Sequence, residues 1–243
     1  MSSFSGLSAR IGLTGKICLA FFLFIFLLSQ SASAFFTGWL GREQEISLGK
    51  EVAKNYEREY GTKEVPRITA VGKKMIPYTG TDYQYHFKVL LSDEPNAMAI
   101  MGGFVYINRG LLKIIDTEDE LAFVLGHEMA HIANRHMVKN VEKGISGGFI
   151  LQLVFGRAPE LTQKVVAIAW NLTQLGYSRQ EEYEADHCGV SYVIRAGYNP
   201  RAAVSLMKKL MKLGGSGGPE FLMSHPDMQK RIQKIKNDYS AYF

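Results

Sequence analysis

Two histidines four residues apart, His127 and His131, enclose Glu128 in a stretch that is otherwise almost wholly apolar. Leu121, Ala122, Phe123, Val124, Leu125 and Gly126 precede the motif, and Met129, Ala130 and Ile132 fill and follow it. Thr117 with Glu120 has the spacing of a capping box, so the periodicity predicts a helix opening there and running to about Asn140. On a helix, residues i and i+4 share one face about one turn apart, so both imidazoles emerge together. A pair of solvated histidines on a surface helix is the plainer alternative, but these flanks belong to a buried helix. Two unpartnered buried imidazoles would be costly. The spacing instead suits two neutral nitrogens at two corners of a zinc tetrahedron. Glu128 is turned by about 100° around the axis, so it can reach a zinc-held water without being a ligand. Zinc lowers the pKa of such a water to about 7, and a neighbouring carboxylate can take its proton.

A catalytic zinc needs a third protein ligand and one open position. Candidates stand in Ser178-Arg179-Gln180-Glu181-Glu182-Tyr183-Glu184-Ala185-Asp186. Ser178 and Glu181 match a second capping box, which occupies Glu181. Glu182 and Asp186 are i and i+4, so one can bind the metal while the other accepts a hydrogen bond from a ligand imidazole. Read alone, the cluster is an acidic first turn favoured by the helix dipole. With the upstream histidines, Glu182 is the preferred ligand and Asp186 the supporting group. Glu184 lies about 160° from Glu182 around the helix and reads as a solvated charge.

The amino terminus has the pattern of an export signal. Arg10 and Lys16 precede an unbroken apolar run from Ile17 to Leu28, and Ala32-Ser33-Ala34 is a small-x-small cleavage pattern. Twelve apolar residues fall short of the roughly 20 that span a bilayer, so cleavage after Ala34 is preferred over an uncleaved anchor. Removing 34 of the 243 residues leaves 209, enough for one domain with a substantial core. The removed segment carries Arg10 and Lys16 and no acid, which takes the formal net charge from +5 to +3. Neither that charge nor any basic stripe with interleaved aromatics points to nucleic acid. Cys188 is then the single cysteine, unable to form an internal disulfide, and reads as a small buried residue on a helix.

Along the mature chain, Glu43–Tyr60 has helical spacing with Gly61 as its stop, and a short helix covers Ile68–Ile76, ended by Pro77. Tyr83–Leu91 alternates as a half-buried strand, Asp93–Asn96 is a turn, and Gly103–Asn108 is a second strand. Ile145–Leu175 is apolar and helical with a break near Gly156–Pro159. Further helices end at Gly197, run from Asn199-Pro200 to the Gly214–Gly218 linker, and follow Pro226.

With these residues in place, the chain resembles the metallopeptidase family that holds HtpX, BepA, the mitochondrial Oma-type proteases and the CAAX prenyl endopeptidases, and within it the short periplasmic members. The likeness rests on HEMAHIANRH followed by EYEAD, on Glu43–Gly49, and on Asn96–Ala99 with Gly102–Ile107. Met101 stands where many members have proline. The resemblance implies that Glu182 is the third zinc ligand. It also relates Ser224-His225-Pro226 to a late S-H-P segment, whose histidine can stabilise an oxyanion or occupy the open zinc position. His136, five residues past His131, reads as a packing or hydrogen-bonding residue. His187 and His86 read as surface or satisfied core positions.

The reading is an α+β, mostly α, zincin-like domain over 35–243, with a small antiparallel sheet beside the motif helix and one zinc held by His127, His131 and Glu182. Glu128 is the general base and His225 an assisting catalytic group, with Asp186 behind the ligands. Gly103, Phe104, Val105 and Tyr106 are assigned to a strand edge that holds extended peptide through its backbone. The resemblance implies an exported endopeptidase of protein or peptide substrates, acting on misfolded or misassembled envelope proteins and touching the membrane or the envelope assembly machinery. The alternative is a latent, chaperone-like zinc module. A membrane-embedded CAAX-type protease is rejected, because only one candidate spanning segment exists.

Overall fold

In a computed structural model, the described residues are 40–144, 166–171, 176–213 and 223–243, with Gly38 and Gln163. The export signal expected at 1–34, most of the apolar stretch expected at 145–175, and the Gly214–Gly218 linker lie outside them. Residues 40–243 form one compact unit. Its elements run α1 (Arg42–Tyr60), β1 (Thr62–Lys63), α2 (Pro66–Met75), a 3₁₀ turn (Ile76–Tyr78), β2 (His86–Leu90), β3 (Ala97–Ile100), β4 (Phe104–Asn108), α3 (Arg109–Leu112), α4 (Glu118–Ala133), α5 (His136–Gly144), α6 (Arg179–Arg195), α7 (Arg201–Leu213) and α8 (Met228–Asp238). The fold is α+β and mostly helical, as expected.

The sheet is mixed rather than antiparallel, with order β1-β2-β4-β3. β3 goes to the far edge after the 91–96 turn, and β4 comes back between β2 and β3, which makes β4 parallel to β2. This arrangement corrects the assignment of Gly103, Phe104, Val105 and Tyr106 to an exposed edge. β4 is paired on both sides, and even the Gly103 carbonyl accepts from the His86 amide at 2.8 Å. The edge strand beside β4 is β3, and β1 closes the other side. Asn108 N–H donates to the Asn96 carbonyl, and the antiparallel alternation from that bond turns the Ala97 and Ala99 backbones outward. The β3–β4 turn is made by Gly102 and Gly103, at φ 83° and 106°, while Met101 is buried. Tyr83 and Tyr85 are buried but precede β2 instead of extending it.

Every residue from Glu120 to Ile132 is buried. A helix enclosed all round is a core helix, and α4 is packed against α6, α7, α2 and β3. Leu121 and Leu125 join Val190 and Val193 of α6, Leu206 and Leu210 of α7, and Ile68 and Val71 of α2. The Thr117 hydroxyl caps the Glu120 amide at 3.2 Å, but only half of the expected box forms. The Glu120 carboxylate accepts instead from the Asp116 amide, Ser205 and Lys209.

The helix expected to run to Asn140 breaks earlier. Arg135 adopts a left-handed backbone at φ 55°, a conformation that costs a non-glycine residue about 1–2 kcal/mol. Its side chain holds it there, with Nε on the Glu45 carboxylate at 3.1 Å and a second nitrogen on the Leu40 carbonyl at 2.7 Å. Glu45, buried on α1, also accepts from Tyr83 and from the Gly102 amide. One carboxylate therefore ties α1, the β3–β4 turn and the end of α4.

α4 and α6 cross at backbone contact. A Cβ on Gly189 would stand 2.9 Å from the His127 amide nitrogen, and one on Gly126 would stand 3.0 Å from the Gly189 carbonyl. These contacts are with backbone, which cannot swing away. Gly189→Ala is expected to cost about 1–3 kcal/mol in urea unfolding, the scale of overpacking in a dense interior. Wild-type stability in that variant would contradict the close crossing.

Candidate metal centre

The crossing sets one face of α4 against the first turns of α6. Ser178 caps α6, and its hydroxyl and the Glu181 carboxylate exchange hydrogen bonds with each other's backbone amides. Glu181 is thereby used, and the next residue, Glu182, points into the core with no exposure. His127 Nε2 and His131 Nε2 stand 3.0 Å apart. Glu182 lies 3.5 Å from the first and 3.4 Å from the second. His225, just before α8, puts Nδ1 2.9 Å from Glu182 and 3.3 Å from His127 Nε2. Ligand atoms of all four residues lie within 4.8 Å of one another, and all four side chains are buried.

The partners on the far side of each ring decide which nitrogens carry hydrogens. His127 Nδ1 faces the Asp186 carboxylate at 3.1 Å. A carboxylate only accepts, so Nδ1 carries the hydrogen and Nε2 presents a lone pair. His131 Nδ1 faces His136 Nδ1 at 2.8 Å, and His136 Nε2 faces the Glu184 carboxylate at 3.2 Å. Burial holds His136 below its ordinary pKa despite Glu184, so its ring is neutral. Its hydrogen goes to Glu184, its Nδ1 accepts from His131, and His131 Nε2 is also a bare lone pair. Once His127 gives up its second proton, two lone pairs and a carboxylate converge, which is the donor set of a borderline-soft divalent cation.

The buried charges point the same way. Three carboxyl groups, Glu128, Glu182 and Asp186, are 2% exposed or less. Against them stands Arg231 from α8, which has no exposure. It grips Asp186 with two bonds of 2.7 Å and reaches Glu182 at 2.6 Å. Burial opposes ionisation of Glu182, but Arg231, His225 and the two histidines hold its pKa well below the usual range. Asp186 is lowered against burial by the same guanidinium. Burial pushes Glu128 up, and neither of its oxygens has a hydrogen-bond partner among the described residues. With all three carboxyls ionised the balance is −2, which a dication neutralises. His131, Glu182 and His127 therefore fit a metal on the chemistry of their own surroundings.

The spacing argument anticipated His127, Glu128, His131, Glu182 and Asp186 as neighbours, and they are brought together. His225 is brought in as well. Gly103–Tyr106 are not, since β4 lies inside the sheet. Three further residues escaped sequence reasoning. Arg231 sits in a run of lysines and glutamines that reads as a solvated helix. Tyr177 stacks on His131 with ring centroids 3.8 Å apart, and its hydroxyl reaches the Ala99 carbonyl of β3 at 3.5 Å. Glu184, read as a solvated charge, is only half exposed and backs His136. Gly176 makes room for this cluster, since a Cβ there would meet the Ser224 carbonyl at 2.4 Å.

Burial alone would depress His127, yet the Asp186 and Glu182 carboxylates raise it to about 9. Burial keeps His131 well below its usual value. In the absence of a cation the site therefore holds a proton on His127, and metal must displace it. The folded-state pKa is the raised one, so the proton is bound below pH 9 and lost as pH rises through it. Zinc affinity is expected to rise about tenfold per pH unit from pH 7 towards 9, with one proton released. Calorimetry in buffers of different ionisation enthalpy reads that proton directly; a pH-independent affinity would contradict the coupling. Arg231→Met is expected to destabilise the protein by about 3–5 kcal/mol, because it strands buried carboxylates. Thermal unfolding within 1 °C of wild type would refute that.

The comparisons with known proteins agree with this geometry. The model of Peptidase family M48 matches residues 62–238. The chain is 36% identical over 153 residues to the mitochondrial metalloendopeptidase OMA1 of Arabidopsis thaliana, covering 61% of this chain and 31% of that protein. It is 26% identical over 183 residues to the beta-barrel assembly-enhancing protease of Escherichia coli, covering 70% and 38%. Against the OMA1 protein of Schizosaccharomyces pombe it is 29% identical over 203 residues, covering 79% and 60%. The match thus spans from just under a third to three fifths of those relatives' lengths. The family match begins at β1 and ends within α8, so it takes in both the α4–α6 helix pair and the late histidine, and the chain belongs to Peptidase family M48.

Proposed function

We propose that the chain is a zinc-dependent endopeptidase, with one zinc per chain on His127, His131 and Glu182. The observation that carries this reading is the convergence of ligand atoms beside Glu128, whose buried carboxylate has no hydrogen-bond partner among the described residues. Bound zinc supplies Lewis acidity, which acidifies water and polarises a carbonyl. The protein's own groups do the rest. Glu128 takes the proton of the attacking water and delivers it to the leaving amine. Asp186 and Arg231 hold His127 and Glu182 in place. His225, 3.6 Å from Glu128, lies where a ring N–H can meet the developing oxyanion. Substrate binds as an extended strand along β3, through the outward Ala97 carbonyl and Ala99 amide, since Asn96 Oδ1 takes the Ala97 amide and Tyr177 the Ala99 carbonyl. The substrates are misfolded or misassembled envelope proteins, and residues 1–34 act as the export signal. The Ile17–Leu28 run and the name of the beta-barrel assembly-enhancing relative support this placement. Among the described residues, no helix is long and apolar enough to cross a membrane.

One observation favours a latent form of the same site. His225 stands within the ligand group, and all four residues of that group are buried. A site closed in this way could serve as a zinc-bearing, chaperone-like module. Casein digestion by the 35–243 protein separates the two readings. Glu128→Gln is expected to lower cleavage by about 10²–10⁴-fold, the worth of a positioned base, while zinc content stays unchanged. Equal cleavage by both proteins would sink the enzyme assignment; no cleavage by either, with cellular function intact in Glu128→Gln, would favour the module.

A further inference from the structure

Each histidine ligand has a group at its back, and the two are built differently. Behind His127 stands a carboxylate in direct contact, Asp186. Behind His131 stands another histidine, His136, fully buried and itself bonded to Glu184. On a continuous helix, residue 136 would lie about 140° away from residue 131 around the axis. It faces His131 only because the chain turns left-handed at Arg135, and Arg135 is held there by Glu45 and the Leu40 carbonyl.

From this juxtaposition, and resting on the metal reading above, we infer that His136 and Glu184 are a positioning pair that fixes the Nδ1–H tautomer of His131 and thereby sets the affinity for metal. The opposite arrangement, with His136 donating to His131, would leave His136 Nε2 as a lone pair against the Glu184 carboxylate. That pairing is repulsive, so the direction of the hydrogen bonds runs from His131 to His136 to Glu184. The carboxylate at the outer end is half exposed. Its loss would not disturb the core, which makes it the cleaner residue to alter.

Partners of this kind are worth about 10–100-fold in metal affinity. Chelator competition on the zinc-loaded full chain is expected to show His136→Leu weaker by that factor. His136→Asn keeps an acceptor where Nδ1 stands and is expected to return to within a few-fold of wild type. Glu184→Leu is expected to lose about tenfold, and Glu184→Gln, whose amide oxygen still accepts, much less. A packing role alone would not distinguish the acceptor-bearing variants from the leucine ones. Long-range ¹⁵N correlation spectra of the zinc-loaded wild type should show a hydrogen on His131 Nδ1. Wild-type zinc affinity in folded Glu184→Leu and His136→Leu, or an unprotonated His131 Nδ1, would overturn the pair while leaving the metal site standing. A wild-type protein that takes up no zinc would overturn the metal reading itself, and the pair with it.

Discussion

The approach of α4 and α6 to backbone contact at Gly126 and Gly189 is the constraint on which the rest of the molecule depends. Side chains at the crossing would hold the helices apart, and the distance between His127 and Glu182 would grow with them. The crossing also explains why α4 is apolar on every side apart from its site residues. It is wrapped by α2, α6, α7 and β3, so beyond its acidic first turn the only polar side chains it carries are those of the site, His127, Glu128 and His131. Dense packing of this kind fixes ligand positions before any ligand arrives, which is how a metal site avoids the entropy of assembling itself.

Bringing those helices together also buries like charges, and the fold answers with Arg231. Its guanidinium spans Asp186 and Glu182 and touches the His225 carbonyl at 3.3 Å. The last helix is thereby attached to the metal centre through charge rather than through apolar contact alone. Left with three carboxyls and one guanidinium, the site is short of positive charge. The raised His127 pKa and the fit to a dication are two expressions of that one deficit. Truncating α8 would remove the compensation and the anchor of His225 together.

Much of this was legible because it is local. The four-residue spacing of His127 and His131, the apolar flanks, and the Ser178–Glu181 box that left Glu182 free all act within one or two helical turns. The remainder depends on contacts across the chain. Nothing between Asn134 and His136 marks a helix end, since neither glycine nor proline stands there; the break is imposed by Glu45, 90 residues away. Likewise, Arg231 differs in no local way from the lysines around it, and becomes a site residue only because α8 docks on α6. Alternation marked β2 and the GFVYIN run marked β4, but β1 and β3 are too short to carry a period of their own, and the strand order could not be read at all. That is why an edge was assigned to β4, when the edge belongs to β3.

The central claim is that His127, His131 and Glu182 hold one metal ion. Anomalous diffraction from crystals grown with zinc, recorded on both sides of the zinc absorption edge, tests it directly. The account requires a single strong peak per chain, lying among His127 Nε2, His131 Nε2 and the Glu182 carboxylate. A crystal in which that position has no peak, or in which the ordered zinc lies elsewhere, would contradict it.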